Sequence, residues 1–336
     1  MGDFLYLSVF ANISVLLSVR RHVMAKYLIK RIGRSFFTLA LIICIVFILM
    51  RQMPIEGYFQ NFDKLTDAQV QAGLREQGLL DPMPVQLVNF FRKMFHGDFG
   101  VSHSYRANVP VTTVLKDKLP VSVKLGCLSI LVAMCLGIPL GTMMARHKGK
   151  LFDKFGTLFI VFIQAVPAAV YYLFIQMYGT TLLNIPLLFA PNNWKSWILP
   201  VLSMSLGNIA YYGMWLRRYM VDESNKDYVN LAKAKGASGN TVMFRHIFRN
   251  AFVPMVQYLP SSFLNTVIGS IYVESLYSIP GMGGLLVTVI KGNDNNMVQA
   301  IVLLYATVGV IGLLLGDIMM TILDPRISLG KKEGGR

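Results

Sequence analysis

The chain has 336 residues, of which 54% are hydrophobic and only 15% charged, and its formal net charge is +15. Soluble domains carry about a quarter charged residues; here the charges are missing from long apolar runs, which excludes a soluble globular protein. Those runs do not alternate, which excludes a β-barrel. The basic residues gather at the ends of apolar runs, as membrane topology requires, and do not call for nucleic acid. The composition implies an all-α polytopic membrane protein.

In chain order, Phe4–Val19 is an uncharged apolar run before Arg20-Arg21. It reads three ways: a signal-peptide-like core, an interfacial helix or an extra span. Residues 1–23 are taken as an extension, with Met24 opening the working protein and a membrane-spanning body over 24–330. Stretches between charges, each near the length that crosses a hydrocarbon core about 30 Å thick, predict six spans. They fall at about 33–53, 121–145, 155–179, 196–217, 250–274 and 297–323. The outer loop 54–118 is too long for a turn. It holds a helix start at Thr66-Asp67-Ala68-Gln69 and an amphipathic segment, Val85–Phe95, and predicts a small helical cap on the outer membrane surface. Lys and Arg crowd the segment before span one, the loops 146–154 and 218–249, and the tail 331–336. These regions all fall on one side, so both termini are expected in the cytoplasm. Cys44, Cys127 and Cys135 lie inside spans at spacings unlike a metal knuckle and read as packing residues.

The loop between spans four and five carries the most information. Asp227-Tyr228-Val229-Asn230-Leu231-Ala232-Lys233-Ala234-Lys235-Gly236 reads as a short helix closed by a glycine C-cap. Ala237 and Ser238 follow, with Ser238 or Asn240 as N-cap of a second helix running through His246 and Asn250. A helix–glycine–helix outside the membrane is a lever that can dock in a soluble partner and pass rigid-body motion to the spans.

This loop resembles the "EAA" loop of ABC importer permeases, Glu-Ala-Ala-x-x-x-Gly. Asn230, Leu231, Ala232 and Gly236 occupy its positions, and only Ala232 and Gly236 match strictly. The peptide/nickel branch has a form like Asp-Tyr-Val-x-x-Ala-x-Ala-Lys-Gly followed by Arg-His-x-x-x-Asn-Ala; Asp227–Gly236 and Arg245–Ala251 are similar to it. Gly97-Asp98-Phe99-Gly100-Val101-Ser102, Gly137-Ile138-Pro139-Leu140-Gly141, Glu274–Gly283 and Leu323-Asp324-Pro325-Arg326 resemble further motifs of these permeases, in order. The opening Tyr27-Leu28-Ile29-Lys30-Arg31 is similar to that of the first (B-type) permease of dipeptide and oligopeptide systems. The resemblance covers about Met24 to Leu329.

It implies the type I importer fold with a cytoplasmic coupling helix, in a bacterial cell membrane. The ATPase-coupling residues would be Asp227, Tyr228, Ala232, Ala234, Lys235, Gly236, Ala237, Ser238, His246 and Asn250. The implied partners are a second homologous permease, two ABC ATPase subunits, an extracytoplasmic binding protein and the lipid membrane. ATP and magnesium would sit on the ATPases, since this chain has no Gly-x-x-x-x-Gly-Lys-Ser/Thr. The expected cargo is di- or oligopeptides, with nickel or another small solute as the alternative. A stand-alone secondary transporter would want a buried carboxylate relay or an inverted repeat, and the spans show neither. Glu274, Asp317 and Lys124 sit at span edges as candidates for the path, and His96 and His103 share the outer loop. Gly309, Gly312 and Gly316 form a small-residue face on span six, which suits close helix packing. Beyond these edge candidates the sequence assigns no substrate-path residue, and it names no catalytic residue or metal site.

Overall fold

The structure, a computed structural model, describes residues 28–267 and 270–323. Residues 1–23, the tail and the Asp-Pro-Arg part of the last motif lie outside that range. Among the described residues all regular structure is helical, apart from one isolated antiparallel bridge between Val101 and Pro110.

Helix α1 (Leu28–Met50) is followed by the outer cap, which contains α2 (Asp67–Glu76) and α3 (Met83–Phe95). The Thr66 start signal is a working capping box: the Gln69 amide N–H donates to Thr66 Oγ1 at 3.4 Å, and the Thr66 N–H donates to Gln69 Oε1 at 2.9 Å. In α3 the Phe90 ring packs on Phe47 of α1 with centroids 5.2 Å apart, while Val88 and Phe95 stay exposed. The cap therefore rests on the end of the first span by one face only.

Helix α4 (Val111–Arg146) has 36 residues, about 54 Å at 1.5 Å per residue. It outruns the expected span 121–145 at its outer end and takes the last residues of the outer loop with it. The expected span 155–179 is instead two helices, α5 (Leu151–Ala165) and α6 (Ala168–Leu183), meeting at 107°. The cause is local. Pro167 has no N–H to continue the ladder, and its ring drives Val166 out of the helical region to φ −82°, ψ 129°.

Next come α7 (Ile198–Ser224), α8 (Asp227–Ala234), the single turn α9 (Gly239–Thr241), a π-helical stretch Val242–Phe248 and α10 (Arg249–Val267). The chain ends in α11 (Ile271–Leu276), α12 (Met282–Lys291) and α13 (Asn295–Leu323). Among the described helices α1, α4 and α13 are long and apolar enough to cross a membrane, and the bent α5–α6 pair makes a fourth when its two helices are counted as one broken span. The expected spans 196–217 and 250–274 fall on α7 and on α10, which ends at Val267; at 27 and 19 residues these are the least apolar of the long helices.

Two helix pairs approach backbone to backbone. A Cβ on Gly137 would lie 2.9 Å from the Ile209 carbonyl oxygen, and one on Gly141 2.6 Å from that of Gly213, so α4 and α7 touch where side chains are missing. Likewise a Cβ on Gly312 would lie 2.9 Å from Ser261 Cα, and Gly316 sits against the Gln257 backbone, joining α13 to α10. The small-residue face on span six thus has its packing partner, while Gly309 faces open space.

Candidate functional site

The segment joining α7 to α10 is built from its own short-range chemistry. Lys226 is extended and Asp227 opens α8, where a carboxylate is favourable against the helix dipole. At the other end Gly236 adopts φ +81°. Its N–H donates to the Lys233 carbonyl at 3.0 Å, and the Ala237 N–H reaches back to the Ala232 carbonyl at 3.1 Å. These two bonds make a Schellman close, which needs the left-handed residue that glycine supplies. Ser238, not Asn240, caps the next turn: its Oγ accepts from the Thr241 N–H at 3.3 Å.

Helix α8 is anchored on one side. Val229 is fully buried, among Leu216, Met220, Val242, Ile247 and Met255, and burying such a side chain contributes about 1.5–3 kcal/mol. Ala232 and Ala237 pack on the same cluster. The Tyr228 hydroxyl ties three elements together. It donates to Glu223 Oε1 of α7 at 2.6 Å, accepts from Asn250 Nδ2 of α10 at 3.0 Å, and lies 3.2 Å from the His246 carbonyl oxygen. Burial, then the Glu223 carboxylate, push the phenol up to about 12, so it stays a neutral donor. Of the ten residues singled out from sequence, Tyr228, His246 (through its carbonyl) and Asn250 meet here. Asp227, Ala234, Lys235, Gly236 and Ser238 lie on the exposed side.

Sequence reasoning missed three members of this region. Glu223 accepts the Tyr228 proton. Leu231 and Phe244 are 56% and 54% exposed on an otherwise polar segment, an arrangement suited to a protein partner. Leu231 occupies a position the general motif fills with alanine, and that departure was the available signal. A fourth feature, the pairing of Arg217 at the end of α7 with buried Asp153 of α5, was also missed. It is bidentate, with Nη2 2.7 Å from Oδ2, and Gly149 N–H adds a bond at 2.8 Å.

The edge residues named as path candidates are engaged elsewhere. Glu274 is 0% exposed and caps α12, accepting from the Gly283 and Gly284 N–H groups at 2.6 and 3.2 Å and from Ser122 Oγ at 2.7 Å. Asp317 accepts from Arg31 Nε and Gln257 Nε2. The Lys124 ammonium sits over the Trp197 ring at 4.4 Å. In the outer loop His96 Nδ1 is 2.7 Å from the Arg92 carbonyl oxygen, and His103 Nε2 is 3.1 Å from Asn296 Nδ2. Burial lowers the His103 pKa, with Asp294 opposing.

The Gly-Asp-Phe-Gly-x-Ser motif also acquires a reason. Gly100 turns at φ +78° and donates to Asp98 Oδ1 at 2.9 Å. Ser102 Oγ then donates to Asp294 Oδ2 at 2.6 Å. Asp294, 0% exposed, also accepts from the N–H groups of His103, Ser104 and Tyr105 at 3.0–3.2 Å. One buried carboxylate thus fastens the outer loop to the start of α13.

Long apolar helices, with short helices tied to them between α7 and α10, define a multi-pass membrane protein. Residues 137–329 match the family described as "Binding-protein-dependent transport system inner membrane component", and the chain belongs to that family. It is 34% identical over 310 residues to the dipeptide transport system permease protein DppB of Lactococcus lactis subsp. cremoris, covering 91% of this chain and 100% of that protein. It is 30% identical over 314 residues to DppB of Bacillus subtilis, covering 92% and 100%. The oligopeptide transport system permease protein AmiC of Streptococcus pneumoniae is 34% identical over 212 residues, 62% of this chain and 42% of that longer protein.

Proposed function

We propose that this chain is the first (B-type) permease of an ATP-driven peptide importer and forms half of the path for di- or oligopeptides. The observation that carries the reading is the lever itself. Helix α8 is pinned through Tyr228 to both α7 and α10, while Leu231 and Phe244 are left exposed. A motor protein gripping α8 would move the two helices it joins. Relatives named for dipeptide and oligopeptide transport support the peptide cargo. The second half of the path is a homologous permease, substrate arrives on an extracytoplasmic binding protein, and two ATPase subunits hold ATP and magnesium. The basic loops support a lever and both termini in the cytoplasm.

Affinity purification from cells expressing the whole operon tests this. The expected result is recovery of a second multi-pass permease and Walker-motif ATPases, with the ATPases lost on Gly236→Pro, because proline cannot adopt φ +81°. Recovery of the chain alone, with solute transport in liposomes that lack any ATPase, overturns the reading in favour of a stand-alone transporter.

A further inference from the structure

Helices α7 and α10 are the least apolar of the long helices. Polar side chains at membrane depth must face protein or a water-filled cavity, because lipid satisfies none of their hydrogen bonds. Here they converge on one open cleft of about 300 Å³, at the small end of ligand sites. Asn208 and Tyr211 of α7 and Tyr258, Ser262, Asn265 and Thr266 of α10 line it, and none of the lining residues is an Asp, Glu, Lys, Arg or His.

The cleft is closed by a chain of neutral hydrogen bonds. Asn208 Nδ2 donates to Thr266 Oγ1 at 3.2 Å, and Asn208 Oδ1 accepts from Ser262 Oγ at 3.1 Å. Ser262 Oγ in turn lies 2.7 Å from the Tyr212 hydroxyl. A carboxamide bridging two hydroxyls presents the same donor and acceptor pair as a peptide group. Asn208 is only half-buried, so the clasp is reachable from the cleft. Beside it the Tyr258 ring stacks on Trp215 with centroids 6.4 Å apart and meets Tyr211 edge-on at 6.1 Å, an apolar shelf next to the polar wall.

Below this clasp the seam is apolar, with Tyr212, Leu216 and Met220 of α7 buried in one cluster with Ala251 and Met255 of α10. On either side α7 is joined to α4, and α10 to α13, by glycine contacts to backbone. Between α7 and α10 the bonds at the cleft are side chain to side chain, and the α8 lever bridges these same two helices.

We propose that this cleft is where the subunit holds the transported chain. Backbone N–H and C=O groups of the substrate exchange with the Asn208–Ser262–Thr266 clasp, and substrate side chains lie on the Tyr211–Tyr258 shelf. The proposal rests on the peptide-importer reading. It adds the contact residues and a selection rule: recognition through neutral amide groups rather than through charge.

The test uses the complete transporter in proteoliposomes with its binding protein. Uptake of a pool of tri- and tetrapeptides is compared with uptake of the same pool methylated on its backbone nitrogens, read by mass spectrometry. Asn208→Leu, and separately Ser262→Ala, are expected to cut uptake of the unmodified pool about tenfold, on the order of one or two hydrogen bonds. Discrimination against the methylated pool should shrink, while binding-protein-stimulated ATP hydrolysis stays within about twofold. The binding protein is the same throughout, so a change in discrimination belongs to this chain. Unchanged uptake and discrimination in both variants overturn the proposal. So does a parallel fall in uptake and ATP hydrolysis with discrimination intact, which marks the clasp as purely structural. If the wild type stimulates hydrolysis but admits no peptide, the cargo reading itself fails and the cleft assignment falls with it.

Discussion

Two kinds of helix seam stand side by side in this permease. At the α4–α7 and α10–α13 seams, glycine lets backbone meet backbone, with Gly141 against Gly213 and Gly316 against Gln257. At the α7–α10 seam Asn208, Ser262 and Thr266 reach across with polar side chains. Packed glycine contacts have steep repulsive walls and one good arrangement. Neutral side-chain bonds each contribute about 1 kcal/mol and can be exchanged for water or substrate. The difference teaches where the molecule is held by backbone contact and where polar side chains reach across an otherwise apolar seam, with α8 tied to both helices of that seam.

The comparison is broken most severely at a rigid seam. Gly141→Val places a side chain where even a Cβ would lie 2.6 Å from a carbonyl oxygen. It should cost about 3 kcal/mol, seen as a lower melting temperature and lost monodispersity in detergent. Next is Asp153→Asn, which leaves Arg217 at the foot of α7 without its carboxylate. The side chain of Arg217 is 30% exposed, so the loss should be about 2 kcal/mol rather than the larger cost of a fully buried pair. Adding Arg217→Met should recover part of it in the same melting assay.

The lever is more tolerant. Gly236→Ala has open space for its Cβ, so its whole effect is the left-handed backbone, about 1–2 kcal/mol. ATP hydrolysis coupled to transport should drop, and Gly236→Asn, which accepts that conformation more readily, should restore it. Tyr228→Phe removes the joint bond to Glu223 and Asn250 for about 1 kcal/mol. It should also remove a titration. The folded phenol is raised to about 12, above its unfolded value, so its contribution is complete below about pH 10 and is lost as pH climbs through 12. The tyrosinate ultraviolet component that titrates near 12 should be missing in the variant. Smallest of all, Ser262→Ala at the exchangeable seam should change the melting temperature by less than Gly141→Val does, with about 1 kcal/mol at stake. A loss as large as that of Gly141→Val would erase the distinction between the seams.

Much of this was legible along the chain because it depends on neighbours in sequence. The Gly236 close follows from glycine after a run of helix formers, and the Thr66 box from Thr and Gln three apart. The bend at Pro167 was equally local. A proline inside the uncharged stretch 155–179 is expected to kink or break its helix, and it does, although hydropathy, which counts only apolar residues, draws one span there. Glu274 and Asp294 were beyond reach for another reason. Each carboxylate is satisfied by groups far along the chain, such as Ser122 for Glu274 and Ser102 for Asp294. No local pattern distinguishes a buried cap from a residue lining a path.

What the sequence by itself determined is the class of molecule and the form of its α7–α10 connection: apolar runs that need lipid, and a helix ended by a left-handed glycine. These follow from solvation and local backbone sterics, which act residue by residue. What only the tertiary structure decided is which seams are rigid and which polar face is shared. The meeting of Gly141 with Gly213, and of Asn208 with Ser262 and Thr266, depends on the register of one helix against another. That register is set by the packing of whole faces, a property no single stretch of the chain contains.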